Sequence, residues 1–241
     1  MLTLSTGNAS SIPPRLPDLS STLCILQRYL QSQTRKFRCT FVCLSYRGYW
    51  TSRGRPNEKG IRLDAAAALE WVSQAHQSSS GAEALPGQVI LWGQSIGSGV
   101  ATNLAAEYAM PDNLHLDSLI LETPFTSIRA MLEVLYPQKW LPYKYLWPFL
   151  RNHLDSWANL GIITGKYENA ATRPRILLLE AAKDELVPAK LSEQLYERCY
   201  QVNIPVERVS VGGAFHNDTM FRAEGRKAVA GFIERRILAS G

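Results

Sequence analysis

The stretch from Val89 to Ala101 restricts what this chain can fold into more than any other. Val89-Ile90-Leu91-Trp92 is an apolar run of strand length. It passes directly through Gly93-Gln94-Ser95-Ile96-Gly97 into a small-residue segment with Ala101, Leu104, Ala105 and Ala106. A buried strand that becomes a helix within one tight turn places Ser95 in a strained conformation, with its hydroxyl raised above the end of a sheet. Gly93 and Gly97 fit this geometry because a side chain at either position would collide with the neighbouring strand or helix as the chain reverses.

The remaining segments supply the sheet that such a turn needs. Met1 to Ser5 is a strand-like stub, followed by a turn sequence from Thr6 to Ser10. Thr40–Leu44, Leu116–Glu122, Arg175–Glu180 and Val206–Val211 read as short strands. Between them lie helical patterns. One starts near Asp18 or Ser20, with Leu19, Leu23, Leu26 and Leu30 in phase. A second is capped by Asn57 and runs to Val72, with a polar linker from Gln77 to Glu83. A third spans about Ala189 to Cys199, and a last one ends near Leu238. Strands alternating with helices predict an α/β fold with a mostly parallel sheet and helices on both faces, whose ligands bind beyond the carboxyl ends of the strands. With 241 residues the chain suits a single domain over 1–241. The pattern breaks between about 124 and 172, where Tyr136–Leu150 is rich in aromatics and interrupted by Pro137, Pro142 and Pro148. This reads as a small cap insertion. Its aromatics either pack the cap onto the body or contact an acyl chain or a membrane surface.

A serine hydroxyl is a poor nucleophile until a base takes its proton, and the base needs an acid to fix its tautomer. In strand-turn-helix sites of this kind the partners follow in the order serine, acid, histidine, on loops after successive strands. Asp184 and His216 occupy those loops, which predicts a catalytic set of Ser95, Asp184 and His216. Glu122 and Glu185 compete with Asp184 as the acid. His76, His115 and His153 read as surface or structural histidines, and Asp218 as a residue at a helix N-terminus. The oxyanion hole calls for the backbone N–H of Ile96 and a second donor from the loop after the fold's third strand, here Asn8 or Ala9.

Composition narrows the partners. A formal charge of +5 comes from scattered Lys and Arg residues, without a basic stripe or interleaved stacking aromatics, so no nucleic-acid partner is expected. Cys24, Cys39, Cys43 and Cys199 have neither zinc-site nor staple spacing, and reduced thiols are expected. No metal or organic cofactor is implied. No apolar run of membrane-spanning length occurs, so the chain as written reads as soluble and intracellular.

Taken together, Gly7-Asn8-Ala9, Tyr46-Arg47-Gly48-Tyr49, Gly93-Gln94-Ser95-Ile96-Gly97, Glu122-Thr123-Pro124-Phe125-Thr126-Ser127, Asp184 with Val187-Pro188, and His216-Asn217-Asp218 resemble the bud-emergence type of α/β-hydrolase-domain proteins. That group includes lysophospholipid and monoacylglycerol lipases and protein depalmitoylases. The resemblance implies a serine hydrolase cleaving a lipid-like carboxylic ester or thioester, with Ser95 as nucleophile, His216 as base and Asp184 as acid. Two departures stand out. Thr6 occupies the place of a histidine that usually precedes Gly-Asn, which bears on the oxyanion loop. Members also usually begin with two further strands, often behind a membrane anchor, and this chain begins at what would be strand three. Either upstream sequence is missing, with membrane association implied, or the chain is a shortened paralogue. In both cases Thr40–Leu44 is expected to be a sheet edge open to self-association. Two rival readings are a non-catalytic binding or scaffold protein of the same fold and a peptidase.

Overall fold

The computed structural model describes residues 2–5 (backbone only), 11–34, 37–80, 85–135, 152–169 and 172–239. Strands β1 (Leu2–Ser5), β2 (Phe41–Leu44), β3 (Gly87–Gln94), β4 (Leu114–Glu122), β5 (Arg175–Ala181) and β6 (Val206–Val211) form one sheet in the order β2-β1-β3-β4-β5-β6. Every neighbouring pair is parallel.

The central strands are buried on both faces, and their period of two divides them between two cores. Val89, Leu91, Leu119, Leu121, Ile176 and Leu178 face one core, and Ile90, Trp92, Ile120, Leu177 and Leu179 face the other. The first core is covered by α2 (Glu58–Ser80), α3 (Ile96–Glu107), α5 (Ser156–Lys166) and α6 (Ala189–Gln201). The second is covered by α1 (Leu16–Leu30) and α7 (Ala223–Ala239). This is the expected α/β architecture.

Several boundaries differ from the sequence expectation. Helix α1 begins at Leu16, directly after a 3₁₀ turn at Pro13–Arg15. Helix α2 is capped by Asn57, whose Oδ1 accepts the Gly60 N–H at 2.8 Å, but it continues to Ser80. Most of the expected linker before Gly81 is therefore helical. Polarity there marks an exposed final turn, with no Gly or Pro to stop it before Gly81. Asp218 precedes a short 3₁₀ turn, Thr219–Phe221, and not the long closing helix. There it pairs with Arg222 at 3.0 Å.

In the segment expected to form the cap, α4 (Ile128–Leu135) has no buried residue, whereas α5 returns to the body. Asp155 caps α5, and Leu160 and Ile163 are fully buried in the first core. Thr102 of α3 bonds Ser156 at 3.2 Å, and a Cβ on Gly99 would lie 2.9 Å from Cβ of Leu154, so α3 and the start of α5 are in close contact. The aromatic stretch Tyr136–Leu150 lies outside the described residues.

Among the described residues strand β2 forms one edge of the sheet, and all four of its residues are only half-buried. The loop after it is tied to α2 by Arg47, whose backbone N–H and guanidinium both bond Asp64. Burial alone would raise the Asp64 carboxyl, but the Arg47 bonds outweigh it and hold the group below its ordinary value.

All four cysteines are free thiols. Cys199 is buried in α6 and its thiol is pushed up to about 12 by loss of solvation, whereas Cys24 is exposed. Iodoacetamide on the native protein is therefore expected to alkylate Cys24 and spare Cys199, as read by peptide mass spectrometry. Early labelling of Cys199 would contradict the packing of α6. Among the described residues no helix is long and apolar enough to cross a membrane.

Candidate active site

Ser95 stands between β3 and α3 with φ 53° and ψ −118°, a backbone conformation that residues with a side chain rarely adopt. Three contacts enforce it. The Ser95 N–H donates to the Glu122 carbonyl of β4 at 2.8 Å. Ser98 of the first helical turn donates its hydroxyl to the Gly93 carbonyl at 2.8 Å and to the Glu122 carbonyl at 3.1 Å. The approach of helix to strand is so close that a Cβ on Gly93 would lie 2.0 Å from the Gly97 carbonyl oxygen. Helix α3 can lie this deep because its residues from Gly97 to Ala106 are small enough to be buried without interruption.

Ile96 is the first residue of α3, so helix geometry leaves its N–H without a carbonyl one turn back. This suits the oxyanion role expected of it. Asn8 and Ala9, the expected second donors, lie outside the described residues.

The loops after β5 and β6 bring the other two predicted residues together. Nδ1 of His216 is 2.9 Å from one carboxylate oxygen of Asp184 and 3.0 Å from the other, and both side chains are largely buried. The Asp184 carboxylate also accepts the N–H groups of Leu186 at 2.9 Å and Val187 at 2.7 Å, which fixes its orientation. An Nδ1–H donated to Asp184 leaves Nε2 of His216 as the acceptor that a general base requires. The two loops are joined by backbone bonds, from the Ala182 N–H to Val211 and from the Lys183 N–H to Ala214.

The competing acids have other work. Glu185 accepts the backbone N–H of His216 at 3.0 Å, so adjacent carboxylates hold the ring and the main chain of one histidine. Glu122 is fully buried and does not touch the imidazole. Its carboxylate accepts from Arg15 at 2.6 Å, from the Trp92 indole at 3.3 Å and from the Thr219 hydroxyl. Arg15 also donates to the Gln94 side chain, and Gln94 Nε2 donates to the His216 carbonyl at 3.4 Å. Sequence reading missed Arg15 and Gln94. The one local sign was an arginine at the start of an apolar helix. His115 and His153 are exposed, and the His76 ring lies 3.2 Å from the Leu85 carbonyl, so none of the three joins this site.

A cleft of about 440 Å³ at the opposite end of the sheet, lined by Thr40, Trp71, His76, Gly87 and Ile233 among others, contains none of Ser95, Asp184 or His216. Among the described residues, no group of three or more His, Cys, Asp or Glu side chains could hold a metal ion.

The parallel sheet, the strained serine turn and the acid–histidine pair at the same strand ends define the hydrolase class of α/β protein. A family model described as the alpha/beta hydrolase fold matches residues 17–160, and the chain belongs to that family. It is 33% identical over 177 residues to an uncharacterised protein of Mycobacterium tuberculosis, covering 73% of this chain and 53% of that protein. To the lysophosphatidylserine lipase ABHD12 of Danio rerio it is 34% identical over 162 residues, covering 66% of this chain and 39% of the lipase. The chain thus spans about half or less of the length of these relatives. The esterase Pf2001 of Pyrococcus furiosus shares the fold, with a TM-score of 0.58 at 18% identity, covering 97% of this chain and 80% of the esterase.

Proposed function

We propose that the chain is a serine hydrolase that cleaves a carboxylic ester or thioester through an acyl-enzyme on Ser95. The observation carrying this reading is the buried Asp184–His216 pair, whose histidine carbonyl accepts from Gln94, the residue immediately before Ser95. In the first half-reaction the Ser95 hydroxyl oxygen attacks the acyl carbonyl carbon while Nε2 of His216 takes its proton. Negative charge on the carbonyl oxygen is met by the Ile96 N–H and a donor from the Asn8–Ala9 loop. The tetrahedral intermediate collapses as the protonated imidazole gives its proton to the leaving alcohol or thiol. Water, activated by the same histidine, then releases the acid and restores Ser95. No cofactor enters this sequence.

A lipid-like acyl group is the proposed substrate class. It rests on the aromatic cap sequence and on the relative named as a lysophosphatidylserine lipase. Contact of the cap with a membrane surface belongs to the same proposal. A non-catalytic scaffold and a peptidase are the rival readings, and labelling with a fluorophosphonate probe separates the first of them from the enzyme. A folded chain that never labels would sink the enzymatic reading, and a panel of lysophospholipids, monoacylglycerols, acyl-thioesters and peptides would then assign the substrate of an active one.

The exposed edge at β2 supports a further proposal, that the chain self-associates through it. Among the described residues no strand pairs with the outer side of β2, and a row of open backbone donors and acceptors beside half-buried apolar side chains is a template for strand pairing. Sizing chromatography with light scattering is expected to show dimers or larger species, reduced in Val42→Lys. A monodisperse, thermally stable monomer would refute it.

A further inference from the structure

We infer that Glu122, with Arg15, Gln94 and Thr219, forms a buried clamp that positions His216 against the Ser95 turn, a role that rests on the serine-hydrolase reading above. Glu122 touches the site through both its backbone and its side chain. Its carbonyl accepts the Ser95 N–H and the Ser98 hydroxyl, which fixes the serine turn from the adjacent strand. Its carboxylate holds Thr219, three residues beyond His216, and Arg15. Arg15 completes the circuit by donating to Gln94, whose amide donates to the His216 carbonyl. Gln94 precedes Ser95, so one charged pair is wired to both sides of the proton-transfer step.

The chemistry of the site explains why charge is used here. An isolated carboxylate in a fully apolar position is costly, and a buried ion pair is a weak source of stability compared with apolar packing. Such a pair does supply direction, because each donor must meet a fixed acceptor. The residue after Glu122 is further evidence of constraint. Thr123 is β-branched with φ 45°, its N–H donates to Leu179 at 2.7 Å, and its buried hydroxyl has no partner among the described residues. Strain of this kind persists only where neighbouring groups over-determine the backbone.

Arg15 and Glu122 are poor first targets, since removing either strands the other charge in the interior. Thr219→Val deletes one hydroxyl at nearly constant volume, Thr219→Ser retains it, and Gln94→Met cuts the link to the His216 carbonyl. Fluorophosphonate labelling of Ser95 measures the nucleophile per folded molecule. The ¹H–¹⁵N resonance of His216 Nδ1 measures imidazole placement without any turnover.

Thr219→Val and Gln94→Met are expected to slow labelling and lower kcat on the order of 10–10²-fold, the effect of a small misplacement of reacting groups. KM should stay within about twofold, as for a group that acts only in the transition state. The Nδ1 resonance should shift in both variants, and Thr219→Ser should restore all three readouts. Labelling rate, kcat and resonance that match wild type in both variants, with only the melting temperature lowered, would overturn the clamp. If wild type itself never labels, the hydrolase reading fails while the clamp is still judged by the resonance: a shift upholds positioning of His216, and no shift refutes it.

Discussion

Ser95→Ala is expected to lower turnover by about 10⁴–10⁶-fold and to abolish covalent labelling by a fluorophosphonate. The fold should survive, because alanine keeps the Cβ and places the same demand on the left-handed backbone as serine does. The melting temperature should therefore stay within about 2 °C of wild type, the range of a change of roughly 0.5 kcal/mol in a domain this size. Asp184→Asn should approach the same loss by a different route. Its amide oxygen can still accept the Leu186 and Val187 N–H groups, leaving the NH₂ toward the imidazole. That arrangement disfavours the Nδ1–H tautomer and costs about 10⁴-fold. A Ser95→Ala protein that retained wild-type turnover would remove Ser95 from the mechanism altogether.

Gly93→Ala is expected to act on folding before chemistry. The added methyl carbon would meet the Gly97 carbonyl oxygen at 2.0 Å, the Gly97 carbonyl carbon at 2.2 Å and the Ser98 nitrogen at 2.5 Å, all backbone atoms that cannot rotate away. Relief requires α3 to withdraw from β3, yet α3 is buried along almost its whole length against the sheet and α5. The cost should reach about 3 kcal/mol or more, at the upper end for overpacked interiors. That corresponds to a fall of roughly 6–12 °C in melting temperature for a domain of this size. Any folded fraction should also label slowly, because the same displacement moves the Ser95 turn. Gly213→Ala offers a contrast. Among the described residues no heavy atom beyond its chain neighbours lies within 4 Å of a Cβ there, so its positive φ of 70° is what opposes substitution. A Gly93→Ala protein with wild-type melting and labelling would show that the strand and helix approach less closely in solution.

What could be read from the sequence follows from how locally each feature is encoded. The inner strands were legible because a parallel sheet covered on both faces needs unbroken apolar runs, and Ile176–Leu179 and Leu119–Leu121 are such runs. The pairing of Asp184 with His216 was legible from their order and their loops, although those loops follow separate strands. The length of α2 was obscured by Gln77–Ser80, where polarity suited a solvent-facing turn as well as a linker. The Arg15–Glu122 pair was illegible because neither residue carries a local mark of its partner. In sequence Glu122 is as eligible an acid as Asp184, and only its three-dimensional surroundings set it apart as a buried partner of Arg15, Trp92 and Thr219.

The sheet order also has consequences for how the protein is made. Leu2 of β1 lies between Phe41 of β2 and Ile90 of β3, so β1 is flanked by two strands that leave the ribosome after it, the second of them the one ending in the serine turn. Long-range parallel pairing forms slowly, since loop-closure entropy is lost before the contacts are gained. During synthesis β1 can pair with β2 first, but the edge of β1 that receives β3 would stay unpaired until β3 appears, a state in which chaperone binding competes with aggregation. Expression slowed by low temperature should therefore raise the yield of folded chain more than any change of buffer after lysis.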